Sequence, residues 1–133
     1  MKISNCLNSE LSYEIAKMGH FDQMTIGDAG LPIPPGPKRI DLAVTFGIPA
    51  FRDVLDVVLE DLKIQKAYIA SETKAANPEM YAWFVERIAA LGAELVEIPH
   101  DELKLRSRDS KCVVRTGECK PYSNIILESN VSF

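Results

Sequence analysis

The chain has 133 residues, a formal net charge of −4, 47% apolar and 26% charged residues, which suits one soluble domain spanning residues 1–133 with a core of its own. The acidic balance argues against nucleic acid or an anionic membrane surface as a partner. No secretory h-region stands at the N-terminus, no apolar run reaches the roughly 18–20 residues of a spanning helix, and three cysteines without C-x-x-C spacing read as free thiols of a reducing cytosol.

Residues 9–18 form the first predicted helix. Leu11, Ile15 and Met18 recur at helical spacing, Asn8 or Ser9 can cap the start, and Gly19 follows the end. A short strand is expected at Met24–Gly27, then a stiff loop through the proline cluster 32–37. Ile40–Thr45 alternates apolar and polar residues as a second strand would. A helix follows over about 50–62, with Val54, Leu55, Val58 and Leu62 facing inward. Lys66–Ala70 is the next strand. Asn77-Pro78 opens a helix over 78–91, with Tyr81, Phe84, Val85, Ile88 and Leu91 on one face. Leu95–Ile98, Cys112–Arg115 and Ile125–Leu127 complete the strands, the last two as an antiparallel or edge addition. Strands alternating with helices predict an α/β domain, a central largely parallel sheet flanked by helices. In such sheets ligands gather at the carboxyl ends of the strands.

Several residues can carry chemistry, and each has a plain alternative. His20 follows a helix C-terminus, where it is either a dipole-stabilised surface residue or a general acid/base. Asp28 ends a strand, as a turn residue bonding its own backbone or as a carboxylate for a ligand hydroxyl. His100 follows Ile98-Pro99 and reads as a loop histidine, solvated or functional. The segment 116–124 is a turn-rich loop presenting Tyr122, Ser123 and Asn124, either a hairpin turn with local capping or a set of groups for a polar ligand. Asp28, His100 and this loop all follow predicted strands and so can meet on one rim. His20, Asp28 and His100 lack the spacing of a metal site. The glycines make no phosphate loop and there is no serine nucleophile elbow. Cys112 lies in an apolar run and reads as core; Cys119 carries no mark of a reactive thiol.

Across essentially its whole length the sequence resembles the ribose pyranase/fucose mutarotase family. The resemblance is carried by Leu7-Asn8-Ser9, Met18-Gly19-His20, the run from Gly27 to Pro34, Arg39–Ala43, Gly47–Phe51, Gly117-Glu118 and Pro121–Leu127. Gly-Leu-Pro-Ile-Pro after Asp28-Ala29 favours the ribose branch over the fucose branch. The resemblance implies interconversion of the pyranose and furanose forms of ribose, feeding its catabolism. It implies His20 as the catalytic proton-transfer group and sugar binding by Asp28, His100, Tyr122, Ser123 and Asn124. No metal or organic cofactor is expected. A cytoplasmic homo-oligomer is expected, a decamer of two stacked pentameric rings with the site near a subunit contact. On this reading the helix end and the strand end hold His20 and Asp28 against one sugar, with the proline loop as a fixed wall. Three positions depart from the pattern: Phe46 and Asn130 replace a common glutamine and glycine, and Ser123 a common alanine. Other sugars as substrates, a non-catalytic transport-accessory module and a histidine phosphocarrier are the competing readings.

Overall fold

A computed structural model describes residues 1–133. The first helix, α1 (Ser9–Lys17), starts where the Asn8 side chain accepts a hydrogen bond from the Leu11 amide at 3.0 Å. It leads through a tight turn into β1 (Gln23–Gly27), buried along its whole length. A loop carries the chain to β2 (Lys38–Asp41), and α2 (Phe51–Asp61) follows. Next come β3 (Ile64–Ala70), the single turn α3 (Thr73–Ala76), α4 (Pro78–Ala90) and β4 (Glu94–Ile98). The chain ends with α5 (His100–Arg106), β5 (Cys112–Arg115) and β6 (Ile125–Ser129).

The six strands lie in the order β2-β5-β1-β6-β3-β4. All are parallel except β6, which is inserted antiparallel between β1 and β3. Alternation along the strands divides the apolar side chains between two layers. Ile125 and Leu127 of β6 and Ala67 and Ile69 of β3 join the main core with α1, α2 and α4. Ile126, Tyr68 and Ala70 pack on the other face against Leu103 of α5. Phe51 and Phe84, both fully buried, meet edge to face with centroids 5.7 Å apart and tie α2 to α4.

The sheet is largely parallel, as the strand–helix alternation implies, but several local expectations need correction. Of the two last strands, expected as an antiparallel or edge addition, β6 is antiparallel but internal, and β5 is neither, being parallel to both β1 and β2. The strand expected at Ile40–Thr45 stops at Asp41, whose Oδ1 accepts from the Ala43 amide at 3.0 Å and turns the chain out of the sheet. The alternation beyond it is not core patterning: Val44 and Phe46 are 80% and 89% exposed, on a projecting loop closed by the Thr45–Ile48 bridge. The segment 116–124 is not a hairpin turn, because β5 and β6 are separated by β1. His100 is not a loop residue but the first residue of α5.

Candidate active site

Because β6 runs against its neighbours, its start lies beside the ends of the parallel strands. Asp28 just after β1, Arg115 at the end of β5, His100 just after β4 and Tyr122–Asn124 just before β6 therefore share the carboxyl rim. Asn124 is buried, and its Oδ1 accepts from the Asp28 amide at 3.0 Å. Asp28 Oδ1 in turn accepts from Gly30 N at 2.9 Å. Burial raises the pKa of Asp28, with hydrogen bonds from Gly30, Asn124 and Leu31 and the charge of His100 acting against that rise. The loop behind it is braced from β5: Ala29 N donates to the Glu118 carbonyl at 2.8 Å, and Arg115 Nε to the Ala29 carbonyl at 3.0 Å.

The Tyr122 segment is held from outside the rim. Tyr122 has φ 54°, a left-handed conformation uncommon for an aromatic residue. Asn77, the N-cap of α4, donates from Nδ2 to the Pro121 carbonyl at 3.0 Å while its Oδ1 accepts from Met80 N. Ser123 is fully buried, and its hydroxyl donates to the Lys120 carbonyl at 3.0 Å. The Tyr122 ring meets the His100 ring edge to face at 5.0 Å. His100 is anchored through its amide, which donates to both carboxylate oxygens of Glu72 at 3.0 and 3.2 Å. Its Nδ1 is buried without a partner. Burial and the Lys104 charge hold its pKa below 6.5, with Glu72, Asp28 and Asp101 pulling the other way. Two open clefts flank the cluster. One, of about 400 Å³, lies between Asp28–Gly30, Phe46, Glu118 and Pro121. The other, of about 460 Å³, lies between Pro32–Pro35 and the α5 side, with Lys104 and Arg108.

His20 is not part of this cluster within one chain. It precedes β1 while Asp28 follows it, and the extended run from Gln23 to Asp28 spans about 16 Å. His20 stands at the opposite, amino rim, beside the end of β6. Its turn is tied down: Gly19 N donates to Asp22 Oδ2 at 2.9 Å and Phe21 N to the Ser129 carbonyl at 3.1 Å. Phe21 adopts φ 69°, and its ring stacks on the His20 ring at 3.8 Å. His20 Nε2 lies 3.0 Å from Gln65 Oε1, and Gln65 bonds Glu128. Sequence reasoning gave no site role to Glu72, Arg115, Gln65 or Glu128, and named Glu118 only in the motif that carries the resemblance. No three His, Cys, Asp or Glu side chains converge into a metal-ligating group, and no helix is long and apolar enough to cross a membrane.

The model of the RbsD / FucU transport protein family matches residues 1–132. The chain belongs to this family. It is 49% identical over 133 residues to the D-ribose pyranase of Thermoanaerobacter sp. (strain X514) and 50% identical over 133 residues to that of Lactiplantibacillus plantarum, covering 100% of both sequences in each case. Among solved structures, Bacillus subtilis RbsD complexed with D-ribose superposes with a TM-score of 0.93 at 43% identity, over 100% of both chains. The fucose mutarotase of Streptococcus pneumoniae in complex with L-fucose shares the fold, with a TM-score of 0.80 at 21% identity over 100% of both chains. The α/β architecture is therefore that of the family.

Proposed function

We propose that this chain is a D-ribose pyranase, an isomerase that interconverts the pyranose and furanose forms of β-D-ribose. The observation that carries the reading is the carboxyl-rim cluster of Asp28, His100, Tyr122 and Asn124, in a chain matched end to end by proteins named D-ribose pyranase. A carboxylate, an imidazole, a phenol and an amide suit recognition of several hydroxyls. The buried, unpartnered Nδ1 of His100 is a polar atom that a hydroxyl would satisfy. We assign sugar binding to these four residues and to Ser123, the latter through the backbone of the turn its hydroxyl braces.

The reaction needs only proton movement. The anomeric hydroxyl loses a proton, the bond from C1 to the ring oxygen breaks, and that oxygen gains a proton. The open aldehyde then recloses through a different hydroxyl. No electrons leave the sugar, so neither a metal nor an organic cofactor is required. His20 is the proton-transfer group in this scheme, each assisted transfer contributing about 10²–10⁴-fold in rate. Its place on the far rim supports a site completed by the His20 of a neighbouring copy. The exposed apolar residues near both rims support a contact of that kind: Val44, Phe46 and Ile48 on the projecting loop, and Phe21 beside His20. We place the enzyme in the cytoplasm as a decamer of two pentameric rings, acting on free sugar without nucleic acid or membrane.

The test is subunit complementation. His20→Ala and Asp28→Asn chains are each expected to lose ribose ring exchange, measured by saturation-transfer NMR. Each mutant keeps one intact half of the shared site. Random 1:1 mixing after co-refolding then leaves about a quarter of sites intact in both halves, and about a quarter of wild-type exchange should return. No recovery in verified mixed oligomers would refute the shared site. Wild-type exchange in folded His20→Ala would refute the assignment of His20.

A further inference from the structure

The only hydrogen bond His20 makes through its ring is to Gln65, and Gln65 is not free to choose how it presents its amide. Gln65 Nε2 donates to Glu128 Oε1 at 2.8 Å. Glu128 Oε2 accepts from Gln23 Nε2 at 3.1 Å and from the Tyr68 hydroxyl at 3.3 Å, with the Arg106 guanidinium at 4.0 Å. Burial acts to raise the Glu128 pKa, but hydrogen bonds from Gln65 and Gln23 and the charge of Lys66 outweigh it and hold the carboxyl below its ordinary value. Glu128 is thus a carboxylate at neutral pH and can only accept. Turning the Gln65 amide over would set two acceptor oxygens against each other at hydrogen-bond distance. The Gln65 carbonyl therefore faces His20, and an acceptor there requires a hydrogen on Nε2.

The backbone gives a second, independent observation. Ala67 and Ile69 of β3 face the main core, so strict alternation would point Gln65 into it as well. Between Ile64 and Lys66 the pairing with β6 shifts register. This bulge lets Ile64 keep a core position while Gln65 turns to Glu128 and His20. Bulges re-aim side chains in this way beside functional sites.

We propose that Gln65 and Glu128 are positioning residues that set the His20 tautomer, so that Nε2 keeps its hydrogen and Nδ1 is the atom that exchanges protons with the sugar. This rests on the reading of His20 as the proton-transfer group. In ring opening, Nδ1 takes the anomeric hydroxyl proton. As the bond from C1 to the ring oxygen breaks, the imidazolium returns that proton from Nδ1 to the released oxygen. Both oxygens are bonded to C1, so one nitrogen serves both. Reclosure runs the same steps through another hydroxyl. Nε2–H stays bonded to Gln65 in both charge states, so the ring need not reorient between transfers.

The experiment reads the tautomer directly. Uniformly ¹⁵N-labelled protein gives the His20 ring nitrogens in long-range ¹H–¹⁵N spectra, assigned by their loss in His20→Ala. At a pH where the ring is neutral, wild type should show a protonated Nε2 and a bare Nδ1. Glu128→Gln is nearly isosteric but can donate as well as accept, so the Gln65 amide gains two orientations. Gln65→Leu removes the acceptor outright. In both variants the two nitrogen shifts should move toward each other. Replacing the carboxylate that fixes a catalytic histidine's tautomer costs about 10⁴-fold in Ser-His-Asp hydrolases; for a neutral amide the expected loss in kcat is roughly 10-fold, with KM for ribose little changed. A wild-type ring protonated on Nδ1 would overturn the proposal. So would a folded Glu128→Gln enzyme with unchanged nitrogen shifts and kcat. Retained exchange in His20→Ala would instead remove the reading beneath it, whatever the spectra show.

Discussion

Gly27→Ala tests whether the end of β1 is built around the absence of a side chain. A Cβ at Gly27 would lie 2.5 Å from Leu31 Cδ2, 2.9 Å from Leu31 Cβ and 2.9 Å from Asn124 Oδ1. Leu31 is nearly buried, and Asn124 Oδ1 is the atom that accepts the Asp28 amide. The methyl must therefore displace a packed leucine and the acceptor that fixes Asp28. Overpacking of this kind costs about 1–3 kcal/mol. For a domain of this size that corresponds to a fall in Tm of roughly 4–15 °C. Scans must be run at one protein concentration, because assembly couples to stability. The two clashes separate in a double-mutant cycle. Leu31→Ala removes the shortest contact, to Cδ2, and leaves the one to Cβ, so stability in Gly27→Ala/Leu31→Ala should fall by less than the sum of the single changes. The Asn124 clash persists, so the ribose KM should stay raised in the double variant. Additive stability losses together with a wild-type KM would refute the reasoning.

Asn77→Ala removes the α4 cap and the tether to the Pro121 carbonyl; a loss of about 1–2 kcal/mol in thermal or denaturant unfolding and a raised ribose KM are expected. His100 is held below 6.5 by burial and Lys104, so the stability it contributes is full above pH 6.5 and is lost as pH falls through the depressed value. His100→Gln should therefore flatten the decline of Tm with acidification. Asp28, raised above 3.8 by burial, works in the opposite sense: its contribution is full below pH 3.8 and is lost as pH rises through the raised value. Exchange activity should survive exhaustive treatment with EDTA; loss that a divalent ion restores would overturn a mechanism of proton transfer alone.

What the sequence makes legible is what is decided locally. Asn8 and Asn77-Pro78 do cap their helices, because a cap needs only its own first turn. The carboxyl-rim meeting of Asp28, His100 and Tyr122–Asn124 follows from strand direction once the parallel sheet is inferred. The place of β6 does not, because it depends on pairings with β1 and β3 at large separation in the chain. Helix α5 went unread because only Leu103 of its seven residues is buried, which leaves no periodic stripe to detect. Gln65 was hidden by the bulge, since alternation alone assigns it to the core face. The separation of His20 from Asp28 did have a signal: one precedes and the other follows a five-residue strand. Within one chain the strand keeps the two on opposite rims, so one sugar held by both would lie at a subunit contact, where the resemblance expects the site.

That separation bears on how assembly and catalysis are joined. Under the shared-site proposal, each copy carries two half-sites at opposite ends of one sheet, His20 on the amino rim and the Asp28 cluster on the carboxyl rim. Under the ring proposal, a copy gives His20 to one neighbour and receives the His20 of another. A head-to-tail contact that fails to close leaves one half-site unfilled at each end. One that closes into a ring leaves none. Both half-sites are braced within their own chain. His20 is held by Gln65, Glu128 and the stacked Phe21 inside its own chain, so its geometry exists before any neighbour arrives. The Asp28 cluster is likewise braced from within, by Asn124, Asn77 and Glu72. Assembly then has to bring together two prepared surfaces rather than order either one. A variant that folds but stays monomeric should retain sugar contacts and lack exchange.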